Sequence, residues 1–180
     1  MAQIPRRTLG RTGVEVTTLG FGAMELRNAP RDPELTDETA QQVLNAVLDA
    51  GINFIDTSPD YGLSEERNGR YISHRRSEYF LASKCGCAAE GFGTGAGNEH
   101  FFTAANVRAA VEQSLRRMRT DYLDIVQFHQ SPSRAVMEAE GALAELQALQ
   151  REGKVRFLGD RKSTRLNSSH IPLSRMPSSA

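Results

Sequence analysis

Residues 104–128 read AANVRAAVEQSLRRMRTDYLDIVQF, and this stretch decides the fold class. Its first part sets Val107, Ala110, Val111, Leu115 and Met118 three and four positions apart, on one face of a helix. Its end, Leu123–Phe128, is apolar and β-branched and reads as a strand. The same alternation continues on both sides. Upstream, Gly20–Met24 is a short apolar run, and Thr36–Ala50 predicts a helix with Val43, Leu44, Val47 and Leu48 on one face. Gly51 is placed to end that helix. Ile52–Ile55 predicts a strand, Glu65–Ile72 a short helix and Tyr79–Ala82 a further strand. Downstream, Val136–Gln150, with Leu143, Leu146 and Leu149, predicts a helix leading into a strand over Val155–Leu158. About five strands alternating with four helices give an α/β fold, a parallel sheet with helical crossovers. Ahead of it, Arg7–Val16 reads as a hairpin with glycine in the turn, placed to close one end of the sheet. Cys85–Phe102 is a long, Gly-rich loop of the kind that borders a site.

A chain of 180 residues, 39% hydrophobic and 24% charged, has the composition of one soluble globular domain. Its 22 basic and 22 acidic side chains cancel, but unevenly. Residues 160–180 hold Arg161, Lys162, Arg165 and Arg175 against Asp160 alone, so residues 1–159 are slightly acidic. That balance offers nothing to nucleic acid or to an anionic membrane surface. The opening MAQIPRRTLG has no apolar leader, and no run reaches transmembrane length. Cys85 and Cys87 are too close for a useful disulfide and do not by themselves make a zinc site, so no metal is expected. A reduced, cytoplasmic protein is the expectation. His74, His100 and His170 lie among polar neighbours and are predicted to be solvated.

In a parallel β/α barrel, chemistry gathers at the carboxyl ends of the strands. Three successive strand ends here carry Asp56, Lys84 and His129, and Tyr61 follows Asp56 closely. Taken singly, each has an ordinary explanation: a helix cap, a solvated charge, a structural imidazole, a turn aromatic. Convergence on one face outweighs these. The set also suits one reaction, because hydride addition to a carbonyl leaves negative charge on oxygen, which needs a proton donor and electrostatic stabilisation. A free phenol, with a pKa of about 10, is too weak an acid for this until a nearby ammonium stabilises its anion. Tyr61 as acid, Lys84 as its tuner, Asp56 as the anchor of the lysine and His129 as the group that orients the carbonyl form a coherent tetrad.

Four ordered motifs carry a specific resemblance. Gly51-Ile52-Asn53-Phe54-Ile55-Asp56-Thr57-Ser58 followed by Tyr61-Gly62-Leu63-Ser64-Glu65, then Ser83-Lys84-Cys85, then Tyr122–His129, together with the opening Leu9–Gly13 and Leu19–Gly22, resemble the aldo-keto reductases. The resemblance covers residues 1–159 and implies the N-terminal part of a (β/α)8 TIM barrel. It also implies an oxidoreductase that reduces aldehydes or ketones with NADPH, a small carbonyl compound as substrate, and Asp56, Tyr61, Lys84 and His129 as the catalytic residues. The nicotinamide end of the cofactor is expected near Gly22, Ala23, Met24 and Asp56.

The resemblance also exposes a departure. After Val155–Gly159 family members continue into three further β/α units, which hold most of the phosphate and adenine contacts. Here the chain turns to DRKSTRLNSSHIPLSRMPSSA, rich in Ser and Arg and without periodicity. Lys162–His170 resembles translated sequencing-adapter sequence. Residues 160–180 are therefore expected to be a disordered, non-native tail, and the truncated chain to be inactive. Its alternative role is a non-enzymatic half-barrel that self-associates through exposed sheet edges.

Overall fold

The chain order of the hydrophobic runs becomes the spatial order of the strands. A computed structural model describes residues 3–28, 35–94, 99–130 and 132–160. Strands β1 (Arg6–Thr8) and β2 (Glu15–Thr17) form the expected hairpin, with Arg6 opposite Thr17 and Thr8 opposite Glu15. Strands β3 (Phe21–Gly22), β4 (Phe54–Asp56), β5 (Phe80–Cys85), β6 (Leu123–Phe128) and β7 (Val155–Asp160) form one parallel sheet in the order β3-β4-β5-β6-β7. Parallel neighbours require a crossover. Here α1 (Asp37–Asp49), α2 (Ser64–Ile72), α3 (Ala104–Met118) and the pair α4 (Arg134–Ala139) and α5 (Ala142–Arg151) supply them. This is a partial (β/α)8 barrel with β3 and β7 at its edges. No helix among the described residues is long and apolar enough to cross a membrane.

Helix boundaries follow from local chemistry. The Thr36 and Thr103 side chains accept from the backbone N–H of Thr39 and Asn106, capping α1 and α3. At the end of α1, Gly51 takes φ +82°, and Gly51 N–H and Ile52 N–H donate back to the carbonyls of Leu48 and Val47. This is the glycine stop anticipated from sequence. Ala40, Leu44 and Leu48 of α1 and Val107, Val111 and Met118 of α3 are buried against the sheet.

The single helix expected over Val136–Gln150 is instead two. Gly141 adopts φ +71°, a left-handed conformation that no continuous helix contains, and the Glu140 carbonyl accepts from Ala104 N–H at the start of α3. The interruption thus joins the α4–α5 corner to its neighbour. Strand β5 runs three residues past the predicted Ala82, to Cys85. Strand β7 reaches Asp160, which pairs with Phe128, so the first residue assigned to the tail belongs to the sheet. The remainder of that tail, 161–180, lies outside the described residues.

The hairpin is anchored by one buried side chain. Asn53 Oδ1 accepts from Thr17 N–H at 2.7 Å, and Asn53 Nδ2 donates to the Glu15 carbonyl at 3.0 Å. The hairpin therefore sits at the amino end of β4. At that same end, a pocket of about 600 Å³ is lined by Arg6, Asn53, Arg76, Tyr122, Asp124 and Arg156. Its charges already have structural tasks. Arg76 and Arg156 both bind the buried Asp124, at 2.6 and 2.7 Å, and Asp124 also accepts from Leu81 N–H. The amino face of such a sheet serves stability rather than chemistry, so the pocket is not the candidate site.

Candidate active site

Side chains alternate along a strand, and β5 uses both faces. Ser83 points toward the helices, where its hydroxyl donates to Glu65 Oε1 of α2 at 2.8 Å. Lys84, the next residue, points the other way. Its ammonium, almost wholly buried, donates to Asp56 Oδ2 and to the Thr57 carbonyl, each at 2.7 Å. The pairing of Asp56 with Ala82 in the sheet brings these two strand ends level. A buried ammonium needs such partners, and this pair satisfies it with charge-assisted hydrogen bonds.

Tyr61 lies in the turn after β4, where its N–H donates to the Ser58 carbonyl. The Lys84 Nζ sits 5.2 Å from the centre of the Tyr61 ring. His129 follows β6 directly, its N–H donating to the Cys85 carbonyl, and its ring meets that of Tyr61 edge-on at 5.7 Å. Asp56, Tyr61, Lys84 and His129 thus share one end of the sheet, the carboxyl end, as their spacing suggested. Beside them, Gly22 lies opposite Asp56 in the β3–β4 pairing and begins a 3-10 turn, Ala23–Leu26. Ala23 is buried, with its carbonyl accepting from Ser64 Oγ, whereas Met24 is exposed.

The structure adds four residues that the sequence reading did not place in the site, two of which, Cys87 and His100, it had set aside. Asp60 Oδ2 lies 3.0 Å from His129 Nδ1 and 3.4 Å from His100 Nε2. Cys87 Sγ and Ser58 Oγ lie 3.2 and 3.1 Å from the same His129 nitrogen. His100 was expected to be solvated, but its side chain is only 8% exposed. The loop after β5 folds back so that Cys87 and His100 pair as a bridge, and this turns the imidazole inward. His74 is exposed, as predicted, and His170 lies outside the described residues. Burial would raise the Asp60 carboxyl, but hydrogen bonds with His129 and Cys87 outweigh it and hold the group below the usual carboxylate range. Burial pushes the Cys85 and Cys87 thiols far up, so neither is primed as a nucleophile. The only sequence signals for this group were the adjacency of Asp60 to Tyr61 and the position of Cys87 and His100 at the two ends of the Gly-rich loop.

Comparison with known proteins converges on one family. The family model "Aldo/keto reductase family" matches residues 18–164. The chain is 39% identical over 168 residues to L-galactose dehydrogenase of Arabidopsis thaliana, covering 88% of this chain and 49% of that protein. It is 30% identical over 168 residues to D-threo-aldose 1-dehydrogenase of a Pseudomonas species, covering 82% and 50%. Among solved structures, an aldo-keto reductase of Bacillus halodurans in its holo form superposes with a TM-score of 0.74 at 31% identity, covering 87% of this chain and 50% of that one. The chain therefore spans about half the length of the curated relatives it matches. A parallel sheet with an acid, an amine, a phenol and an imidazole at its carboxyl end, and a family match across most of its length, lead to one assignment: this chain belongs to the aldo/keto reductase family.

Proposed function

We propose that these residues serve NADPH-dependent reduction of a small aldehyde or ketone in the cytoplasm, with Tyr61 as proton donor. The observation that carries this is the placement of the Lys84 ammonium, 2.7 Å from Asp56 and 5.2 Å from the Tyr61 ring, with His129 against the same ring. Lys84 favours the phenolate that remains after Tyr61 gives up its proton. Asp56 and the Thr57 carbonyl fix the position of the ammonium. His129 donates a hydrogen bond to the carbonyl oxygen and sets its angle to Tyr61. The cofactor, when bound, supplies the hydride. Its nicotinamide end fits the residues present: Gly22 is exposed beside Asp56, and a Cβ there would meet nothing within 4 Å. Gly22, Ala23, Met24 and Asp56 would line that end.

A second reading concerns the 180-residue chain itself. Among the described residues β3 and β7 are the edge strands of the sheet, and unpaired edges favour association between copies. The chain alone is then a self-associating half-barrel that neither binds NADPH tightly nor reduces carbonyls.

Both readings are tested together. The first assay follows NADPH oxidation by the purified chain with a broad aldehyde, alongside its size in solution. A monomer with saturable, aldehyde-dependent turnover refutes the half-barrel reading. The second fuses residues 1–159 to the C-terminal half of the Bacillus halodurans relative. Tyr61→Phe in that fusion is expected to lower kcat by about 10²–10⁴-fold while leaving NADPH affinity nearly unchanged. Near-normal turnover refutes the assignment of Tyr61.

A further inference from the structure

Four metal-type donors that lie far apart in sequence converge beside the proposed tetrad. They are Asp60 from the turn after β4, Cys87 and His100 from the two arms of the loop after β5, and His129 from the end of β6. Their ligand atoms all lie within 4.8 Å of one another. Three of the six separations, 3.0, 3.2 and 3.4 Å, are at or a few tenths of an ångström under the edges of a zinc tetrahedron. Bonds of about 2.0–2.3 Å to nitrogen, oxygen and sulfur set donor atoms about 3.3–3.6 Å apart. We propose that Asp60, Cys87, His100 and His129 form a tetrahedral site for zinc or a similar divalent transition metal, closing three loops together at the carboxyl end of the sheet.

Three further observations support it. His129 Nδ1 has one proton or one lone pair to offer, yet Ser58 Oγ, Asp60 Oδ2 and Cys87 Sγ all lie within 3.2 Å of it. A cation resolves that crowding, because imidazole, carboxylate and thiolate can all face it at once. The donor set also balances charge: one carboxylate and one thiolate neutralise a divalent ion in a largely buried place. One sulfur, two imidazoles and one oxygen suit zinc and disfavour the oxygen-seeking magnesium and calcium. Finally, the outer groups are in position. Ser58 Oγ lies 3.7 Å from Cys87 Sγ, where its hydroxyl donates to a thiolate. The Gln130 amide lies 3.3 Å from His100 Nδ1, and with its oxygen turned inward it accepts the proton that a metal-bound imidazole carries there.

The backbone preorganises the site. Phe101 N–H donates to the Gly86 carbonyl at 2.7 Å and Ala88 N–H to the Glu99 carbonyl at 2.9 Å, which clamps the two arms that carry Cys87 and His100. Four protein ligands leave no open position, so the metal is structural rather than a Lewis acid. Bound at Nδ1, it leaves the proton of His129 on Nε2. The site depends on the geometry and charge of its donors and not on the carbonyl chemistry.

The test uses the 180-residue chain, stripped of metal under reducing conditions and titrated with cobalt(II). Expected are one equivalent bound, the visible bands of a tetrahedral site, a thiolate-to-cobalt charge-transfer band in the near ultraviolet, and displacement of all three by zinc. Cys87→Ser removes the charge-transfer band. His100→Gln, a change in a loop, weakens zinc binding by about 100-fold or more with an unchanged far-ultraviolet circular dichroism spectrum. His74→Gln and His170→Gln leave binding unaltered. Absence of the tetrahedral spectrum, or binding retained by both Cys87→Ser and His100→Gln, overturns the proposal.

Discussion

Gly69→Ala pits local propensity against packing, and the two predict opposite signs. Gly69 lies inside α2, the helix that carries Glu65 beneath Ser83 and so supports the strand holding Lys84. Alanine in a helix interior is favoured over glycine by about 1 kcal/mol, so an isolated helix would be stabilised. In the fold, however, a Cβ at this position would stand 2.1 Å from the Arg117 carbonyl oxygen and 2.7 Å from Met118 Cα. An ordinary carbon–oxygen contact is about 3.3 Å or more, so α2 would have to retreat from the end of α3 by about 1 Å. The obstacle is backbone and cannot rotate away. A gap of that size forfeits a quarter to a half of each dispersion contact along the α2–α3 seam, and overpacking of this kind costs about 1–3 kcal/mol or more. Because the obstacle is backbone, the cost falls at the upper end of that range, about 3 kcal/mol, and with the propensity gain of about 1 kcal/mol subtracted a net loss of about 2 kcal/mol is expected. With a urea m-value of about 2 kcal/mol/M, the midpoint should fall by about 1 M at constant m. The assay is urea unfolding of the 180-residue chain followed by circular dichroism. An unchanged or higher midpoint would show that α2 and α3 do not approach as closely as described.

Three further predictions follow from single side chains. Burial raises the pKa of Glu65 above its ordinary value of 4.5, with Ser114 and Ser83 opposing, so the folded state holds its proton more tightly than the unfolded chain does. Stability should therefore fall as pH rises from about 4.5 through the folded-state value. Glu65→Gln should flatten that slope in urea titrations at several pH values, and an identical slope would refute the assignment. Asn53→Ala should lower stability by about 2–3 kcal/mol, because it leaves the buried Thr17 N–H without its acceptor and frees the hairpin. A shift below 0.5 kcal/mol would mean that the hairpin is held otherwise. In the fusion enzyme, Lys84→Met should lower kcat by about 100-fold and move the alkaline limb of the kcat profile upward; a profile that does not move would separate Lys84 from Tyr61.

Much of the architecture was legible in the chain because it rests on local rules. Val107, Ala110, Val111 and Met118 mark the buried face of α3 by spacing alone, and Gly51 ends α1 because the left-handed turn there suits glycine. The approach of Asp56, Lys84 and His129 was also readable, since parallel strands present their carboxyl ends to one side. Other features arise only when distant segments meet. The polar run Ser64–Arg70 looks like a solvated helix, yet Ser64, Glu65, Arg67 and Asn68 are buried. They are buried because partners from elsewhere satisfy them: Arg67 binds Asp37 and the carbonyls of Leu26 and Leu35, and Glu65 meets Ser83 and Arg117. The break at Gly141 depends on the contact of Glu140 with the start of α3. His100 reaches Asp60 only because its loop folds back on Cys87, 13 positions away. Spacing within one segment determines which face of an element is buried. Which polar groups complete one another across 20 to 70 residues is a property of the assembled layers, where the removal of water makes each such pairing obligatory.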